Sequence, residues 1–267
     1  MRLGWTATTN HLRVRSPRAY WDMLIALAMA DLRDRYGRGP ARAVKWLIDP
    51  YAVAGVYLIF VAFIVHRGGE APGLSVACAV VPFQIFILAM MAAMRLIRER
   101  RSLILDLDFR RVLLPAAVTL TETLGFAASL SLLALMMAVY GIPPTVAALW
   151  LVPTVAVTLI FTLASSYPAM LFGVWFGRLI PFALSALRIL YFLAPGVVAL
   201  SQIHGTANEL IRINPLTGIF EAYRDALLYG HAPHAWELLY PLAFALALLA
   251  VFLPIFRSEQ RHLAKVA

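Results

Sequence analysis

Residues 73–94 read GLSVACAVVPFQIFILAMMAAM, a run of 22 residues without a charged side chain. A helix needs about 20 apolar residues to cross a hydrocarbon core about 30 Å thick. Five more stretches reach or approach this length, and the candidate spans are 50–65, 73–94, 112–140, 145–176, 179–200 and 236–256. Closed β-barrels would need short alternating segments, which the sequence does not contain. The pattern therefore predicts an all-α integral membrane protein with six transmembrane helices.

The basic residues fall almost entirely in alternate connectors between these spans. Nineteen of the 23 Lys and Arg residues lie in the N-terminal segment, in the second–third and fourth–fifth connectors, and in the C-terminal tail. The opposite connectors hold only Arg67, Arg212 and Arg224. Connectors rich in Lys and Arg stay in the cytoplasm, so both termini are predicted to be cytoplasmic.

The composition agrees with a membrane protein and argues against several other classes. Hydrophobic residues make up 62% of the 267 residues, and the mean hydropathy is +0.79. A net charge of +9 would indicate nucleic acid as the partner of a soluble protein. Here topology and contact with anionic lipid headgroups explain the charge, so we expect membrane lipids and no nucleic acid as partners. The single Cys78 lies inside the second span and indicates neither a disulfide nor a metal cluster.

The N-terminal segment is predicted to contain an amphipathic helix, over 18–36, that lies in the membrane interface. Its apolar positions recur at a spacing of three to four, at Trp21, Leu24, Ala28 and Leu32. The apolar run also imitates a signal peptide, but Asp22 opens it and dense positive charge follows the imitated cleavage site. An uncleaved segment is therefore favoured. The predicted units are an N-terminal cytoplasmic segment, a transmembrane domain and a cytoplasmic tail, at 1–49, 50–257 and 258–267.

The connector between the fifth and sixth spans contains helix signals of its own. Asn214-Pro215 is typical of a helix start, and Gly230 is typical of a helix end. Glu221 and Arg224 are three apart and are expected to pair on the wet side of this helix. Tyr223 and Leu227 would then face the membrane or the lumen. We therefore predict re-entrant outer helices that act as an outer gate, in preference to a helix that lies passively in the interface. The candidate gate residues are Asn214, Pro215, Tyr223 and Arg224.

Two ionisable residues fall within predicted spans. Arg188 lies near the middle of the fifth span and Glu122 lies inside the third. A charge at the bilayer centre costs at least about 2.5–3.5 kcal/mol unless it is paired or hydrated. The two residues are therefore either a charged pair or the lining of a hydrated path, unless each reaches the headgroups. Aromatic residues of the first and fifth spans either stack on sugar rings or form ordinary packing and interfacial belts. The candidates for a substrate path are Tyr51, Tyr57, Phe60, Phe63, Arg188, Tyr191 and Phe192.

Signals for catalysis or nucleotide binding are missing from the sequence. A P-loop requires a lysine after a glycine-rich turn, and the only lysines, Lys45 and Lys265, follow Val and Ala. Metalloprotease and serine-hydrolase motifs are also missing, so we predict no enzyme activity and no cofactor in this chain. His231 and His234 are three apart, but a metal site needs a third ligand. Two solvated loop histidines are favoured, and no metal site is predicted.

Several segments together resemble the membrane subunits of ABC-2 type exporters, and in particular the bacterial permeases for capsule, O-antigen and teichoic-acid-like polysaccharides. Their order and their spacing relative to six spans are the basis of the resemblance, which covers about residues 20–257. The segments are DLRDRY at 31–36, WLIDP at 46–50, the basic patch at 98–111, FGRLIPF at 176–182, YFLAPG at 191–196, INPLT at 213–217 and EAYRDAL at 221–227.

The resemblance implies a permease subunit in the bacterial inner membrane. Such a subunit pairs with a second copy of itself and with two copies of a separate ABC ATPase, which holds the ATP and Mg. Its substrate would be a lipid-linked glycan that is moved outward. The basic second–third connector has many apolar members, and with 18–48 it is expected to dock the ATPase. The docking candidates are Arg98, Arg101, Leu105, Phe109, Arg110, Arg111, Asp31 and Arg35.

Two other functions compete with the glycan permease. One is an ABC-2 permease for a drug, a lipid or a small signalling molecule, although the outer helix with its Asn-Pro and Tyr-Arg pairs favours the glycan branch. The other is an intramembrane glycosyl- or acyl-transferase. Asp106 and Asp108 are weak support for an enzyme, because carboxylates two apart on a helix point to different sides.

Overall fold

A computed structural model describes residues 17–37, 48, 51, 52, 55, 59, 71–99 and 111–266. Within these residues the regular structure is helical and includes no strand, which confirms the predicted all-α class. The helices are α1 (Pro17–Tyr36), α2 (Pro72–Glu99), α3 (Leu114–Tyr140), α4 (Leu151–Trp175), α5 (Ile180–Leu193), α6 (Thr206–Arg212), α7 (Pro215–Arg224) and α8 (Ala235–Val266). A π-helical turn, Asp225–Tyr229, continues α7.

Four stretches of the described residues are long and apolar enough to cross a membrane. They are Pro72–Ile97, Leu114–Tyr140, Val146–Trp175 and Ala235–Glu259. They coincide with the second, third, fourth and sixth predicted spans. The first predicted span, 50–65, lies outside the described residues except for positions 51, 52, 55 and 59, which are helical.

The fifth predicted span is shorter than the sequence indicated. The apolar run 179–200 predicted one crossing, but α5 has 14 residues, which is about 21 Å at 1.5 Å per residue. Pro195 explains the early end, because a residue before proline is disfavoured in the α conformation. Ala194 accordingly has φ −81° and ψ 156°. The prediction of a continuous span over 179–200 is therefore wrong in extent.

Helix α2 is the centre of the bundle. Within its apolar window 72% of the residues are buried, against 11% for α8. α3, α4 and α7 all pack against it. Small residues let the backbones approach closely, since a Cβ on Gly173 of α4 would lie 2.0 Å from the carbonyl oxygen of Met94. Close packing of this kind holds helices together in lipid, where apolar side chains gain little by leaving the solvent.

The contacts between helices define two opposite ends of the bundle. At one end, the Gly73 N–H donates to the Tyr140 hydroxyl at 3.1 Å. The start of α2 therefore lies beside the end of α3. We call this end the hairpin end, because the hairpin formed by α6 and α7 (residues 206–230) also contacts the start of α2 there. The other end, which we call the basic end, contains Arg95, Arg178 and Arg257, each at or just beyond the end of an apolar stretch. The described basic residues that follow α2, α4 and the apolar part of α8 therefore share one end of the bundle.

The two terminal helices are α1, in the predicted N-terminal segment, and α8, which contains the sixth predicted span. α1 confirms the helix predicted over 18–36, and it packs on α3 with Leu24 and Ala28 buried while Trp21 is exposed. Gly37 ends α1 with a positive φ of 77°, and its N–H donates to the Arg33 carbonyl. α8 continues without interruption to Val266, so the predicted tail 258–267 is mostly an extension of the last helix.

Candidate functional site

Within the α6–α7 hairpin, residues 206–230, helix α7 begins at a signal seen in the sequence, and its π-helical continuation ends at another. The Asn214 side chain accepts a hydrogen bond from the Leu216 N–H at 3.1 Å, and Pro215 takes the first helical position. Gly230 stops the π-helical turn with a φ of 70°. Both predicted boundaries are confirmed.

Two side-chain hydrogen bonds tie the start of α7 to neighbouring helices, and a third links the two helices of the hairpin. The Asn214 amide donates to the Leu190 carbonyl of α5 at 2.9 Å, in addition to its capping bond. The Tyr240 hydroxyl of α8 donates to the Ile213 carbonyl at 2.5 Å. Within the hairpin, the Thr217 hydroxyl donates to the Ile211 carbonyl at 2.6 Å and links the two helices. The start of α7 is therefore fixed from two sides.

Arg224 is the largest fully buried side chain of the described residues. Its Nε donates to the carbonyl and hydroxyl oxygens of Ser75 at 3.1 Å each. Its Nη2 donates to the Pro195 carbonyl at 2.6 Å, and its Nη1 donates to Glu221 Oε1 at 2.6 Å. One guanidinium thus joins α7, the start of α2 and the segment after α5. A planar fork of five N–H donors suits three such directions, which a lysine ammonium on a single stem matches poorly.

Glu221 completes the same network. Its Oε1 accepts from Arg224 and also from the Leu200 N–H at 3.0 Å. The predicted pairing of Glu221 with Arg224 is present, but its predicted location on a wet side is wrong because both side chains are buried. The reason lies in the tertiary structure, because Ser75 and Pro195 accept hydrogen bonds from the guanidinium and belong to other segments of the chain.

Two predicted site tyrosines also lie inside the protein. Tyr223 is fully buried, and its hydroxyl lies 3.4 Å from Thr158 Oγ1. Tyr191 is likewise buried, with its ring centroid 4.8 Å from that of Phe83 and its hydroxyl donating to the Gly196 carbonyl. Burial of Tyr223 corrects its expected orientation towards the membrane or the lumen, whereas the path-lining role of Tyr191 stays a prediction.

The other path candidates are dispersed. Arg188 and Phe192 are exposed on α5, whereas Glu122 is buried in α3. The Tyr51 hydroxyl lies 2.8 Å from Ser131 Oγ. The candidates Tyr57, Phe60 and Phe63 lie outside the described residues.

Four of the docking candidates belong to described helical segments, and the other four lie outside the described residues. The backbones of Arg98 and Arg111 lie at the end of α2 and in the 3₁₀ turn before α3. The backbones of Asp31 and Arg35 lie in α1. The remaining candidates lie outside the described residues, namely Arg101, Leu105, Phe109 and Arg110.

An open apolar groove of about 990 Å³ lies beside the start of α7. α2, α4, α5 and α8 contribute its walls, with Phe86, Phe161, Phe182 and Phe244 among the lining side chains, and Asn214 lies at its edge. The lining contains few polar groups, so the groove fits hydrocarbon better than sugar. No pattern in the sequence predicted this groove, because its walls come from helices that lie far apart in the chain.

The similarity of the chain to curated proteins extends over nearly its whole length. No family model matches the chain. It is 26% identical over 256 residues to an O-antigen export system permease protein RfbA of Myxococcus xanthus, covering 94% of this chain and 98% of the relative. An O-antigen export system permease protein RfbA of Klebsiella pneumoniae is 21% identical over 92% of the chain and 95% of the relative. The predicted resemblance to polysaccharide-export permeases is confirmed. The aligned region covers 94% of the chain, so the buried network around Arg224 lies within it.

Proposed function

We propose that this chain is the membrane-spanning permease subunit of an exporter that moves a lipid-linked polysaccharide, such as an O-antigen or capsule glycan, out of the cytoplasm. The observation that supports this most is the end-to-end similarity to O-antigen export permeases. Four apolar helices of crossing length agree with a multi-pass membrane protein. The groove beside α7 offers an apolar surface of the kind that a lipid carrier requires.

The energy for export comes from a separate ATPase subunit in this proposal. The two lysines of the chain, Lys45 and Lys265, both lack the glycine-rich turn of a P-loop. Two ATPase copies would bind at the basic end, through the 98–111 connector and α1. Because connectors rich in Lys and Arg remain in the cytoplasm, the basic end faces the cytoplasm. The hairpin end then lies on the periplasmic side of the inner membrane.

Two copies of the chain form the transport path in this proposal, related most simply by a two-fold axis. Among the described residues the centre of the bundle is occupied by the largely buried α2, so we place the path of a polymer between two copies and not within one. The exposed face of α5 is mostly apolar, with Phe182, Ile189 and Phe192 beside the exposed Arg188, so this face is our candidate for the boundary between copies. The α6–α7 hairpin closes the outer end of the path, and the Arg224 network holds it there.

Deletion of the gene in the cells that make this protein tests the proposal. We expect loss of one surface polysaccharide and accumulation of its lipid-linked precursor inside the cell, both reversed by the wild-type gene. An unchanged surface glycan together with altered resistance to drugs or altered lipid export would favour the small-molecule permease instead.

A further inference from the structure

The 13-residue stretch 225–237, DALLYGHAPHAWE, folds so that its acidic and histidine side chains converge at the hairpin end. The donor atoms of Asp225, His234 and Glu237 all lie within 4.8 Å of one another. His234 Nδ1 lies 3.2 Å from Asp225 Oδ2 and 3.2 Å from Glu237 Oε1. His231 Nδ1 lies 3.6 Å from the same Asp225 oxygen and makes a fourth donor available.

These separations match the edges of a metal polyhedron. Zinc binds His nitrogen and carboxylate oxygen at about 2.0–2.2 Å in tetrahedral sites, which places neighbouring donors roughly 3.3–3.5 Å apart. A neutral imidazole has one N–H, and Nδ1 of His234 faces two carboxylates at equal distance. One proton cannot satisfy both acceptors well, whereas a cation between the three atoms contacts all of them.

The charges and burial of the cluster also fit a divalent cation. Asp225 and Glu237 are 5% and 4% exposed, and two buried carboxylates in contact repel each other unless a proton or cation lies between them. The neighbouring Arg224 does not serve this purpose, since its guanidinium is directed to Glu221, Ser75 and Pro195. Two carboxylates and two neutral imidazoles would together balance one divalent ion.

The backbone holds the donors in place while leaving access open. The Asp225 carbonyl accepts the Gly230 and His231 N–H groups and so closes the turn. Glu237 caps the start of α8 by accepting the His234 N–H through Oε2, and its Oε1 remains directed at the His234 ring. The His231 and His234 side chains are 51% and 67% exposed, so an ion can enter from the solvent side.

We propose that Asp225, His234 and Glu237, with His231 as a fourth ligand, form a zinc-binding site that clamps the end of α7 to the first turn of α8. The mixture of imidazole and carboxylate donors favours zinc over magnesium or calcium, which prefer all-oxygen sites. The site is separate from the export function proposed above and does not depend on it.

Metal binding by the full chain in nanodiscs tests this site. The protein is purified through a tag without histidine, stripped with a chelator, and titrated with zinc chloride, with bound metal counted by mass spectrometry. We expect one zinc per chain and an increase in Tm on zinc addition. His234→Ala should weaken binding at least about tenfold, while the matched variant His204→Ala, at an exposed histidine outside the cluster, should bind like the wild type.

Two conservative variants keep the test decisive if His234→Ala folds poorly. Asp225→Asn and Glu237→Gln retain the shape of the side chains and should each reduce zinc affinity. Wild-type protein that binds no zinc, that binds equally well after either substitution, or that prefers magnesium or calcium would overturn the proposal.

Discussion

Arg224 donates from all three of its guanidinium nitrogens to groups on three segments of the chain. A hydrogen bond to a charged group contributes about 1.5–3 kcal/mol, and removal of one partner of a buried ion pair costs about 3–5 kcal/mol. These contributions are a large fraction of a typical total stability of about 5–15 kcal/mol. The first role of Arg224 is therefore to hold the hairpin in place, and any effect on export follows from that.

Replacement of Arg224 tests this role. Arg224→Ala leaves Glu221 charged and buried without its partner, so we expect Tm in nanodiscs to decrease by roughly 10 °C. The matched variant is Arg212→Ala on the same hairpin, where the side chain is exposed and lies 5.0 Å from the Trp236 ring. Its loss should cost less than about 1 kcal/mol.

A double variant provides a further control for the ion pair. Glu221→Gln combined with Arg224→Met removes both charges and keeps similar volumes, so it should recover part of the lost stability. Equal Tm values for Arg224→Ala and Arg212→Ala would show that the buried network does not stabilise the hairpin.

At the scale of the elements, the Asn214 side chain makes two different hydrogen bonds, and two substitutions can separate their contributions to stability. Its Oδ1 caps α7 through the Leu216 N–H, and its amide donates to the Leu190 carbonyl of α5. Asn214→Ser keeps a capping oxygen but is too short to reach α5, whereas Asn214→Ala loses both bonds. We expect thermal stability to decrease in two steps of about 1 kcal/mol each, with serine between asparagine and alanine. Identical stability of the Ser and Ala variants would mean that only the bond to α5 matters.

The elements also show what the sequence could predict and what it could not. The start of α7 at Asn214-Pro215 and the end at Gly230 are local signals, and both were predicted correctly. The early end of α5 was also encoded locally, by Pro195, but the apolar run beyond it outweighed that signal in the prediction. The burial of Arg224 depends on Ser75, 149 residues away in the sequence, and no pattern within one helix indicates such a partner.

The candidate site could be predicted only in part from the sequence, because its contacts also join distant segments of the chain. The sequence identified Asn214, Tyr223 and Arg224 as important but assigned them to a gate surface, whereas the fold places Tyr223 and Arg224 in the interior. His231 and His234 were set aside because a third ligand was missing. Asp225 and Glu237 lie only a few residues away, but a turn and a helix start had to bring them together.

At the scale of the whole molecule, the proposed export function requires that the protein has one fixed orientation in the membrane. The only cysteine, Cys78, is fully buried, so single introduced cysteines report cleanly on accessibility. Ser201→Cys lies in the connector before the hairpin and Ser258→Cys lies near the basic end, and both serines are exposed. An impermeant maleimide added to intact spheroplasts should label Ser201→Cys at once and Ser258→Cys only after the membrane is opened. Labelling in the reverse order would invert the proposed topology.

The central claim is that the chain, with an ATPase, moves a lipid-linked glycan across the membrane. Its most direct test uses inverted membrane vesicles, in which the cytoplasmic face is outside and the lipid-linked glycan is accessible to an added glycosidase. With the permease and its ATPase present, ATP should make the glycan resistant to the glycosidase, because the glycan has moved into the lumen. An inactivated ATPase or omission of the permease should leave the glycan fully digestible. A glycan that stays equally digestible with and without ATP in the complete system would contradict the account.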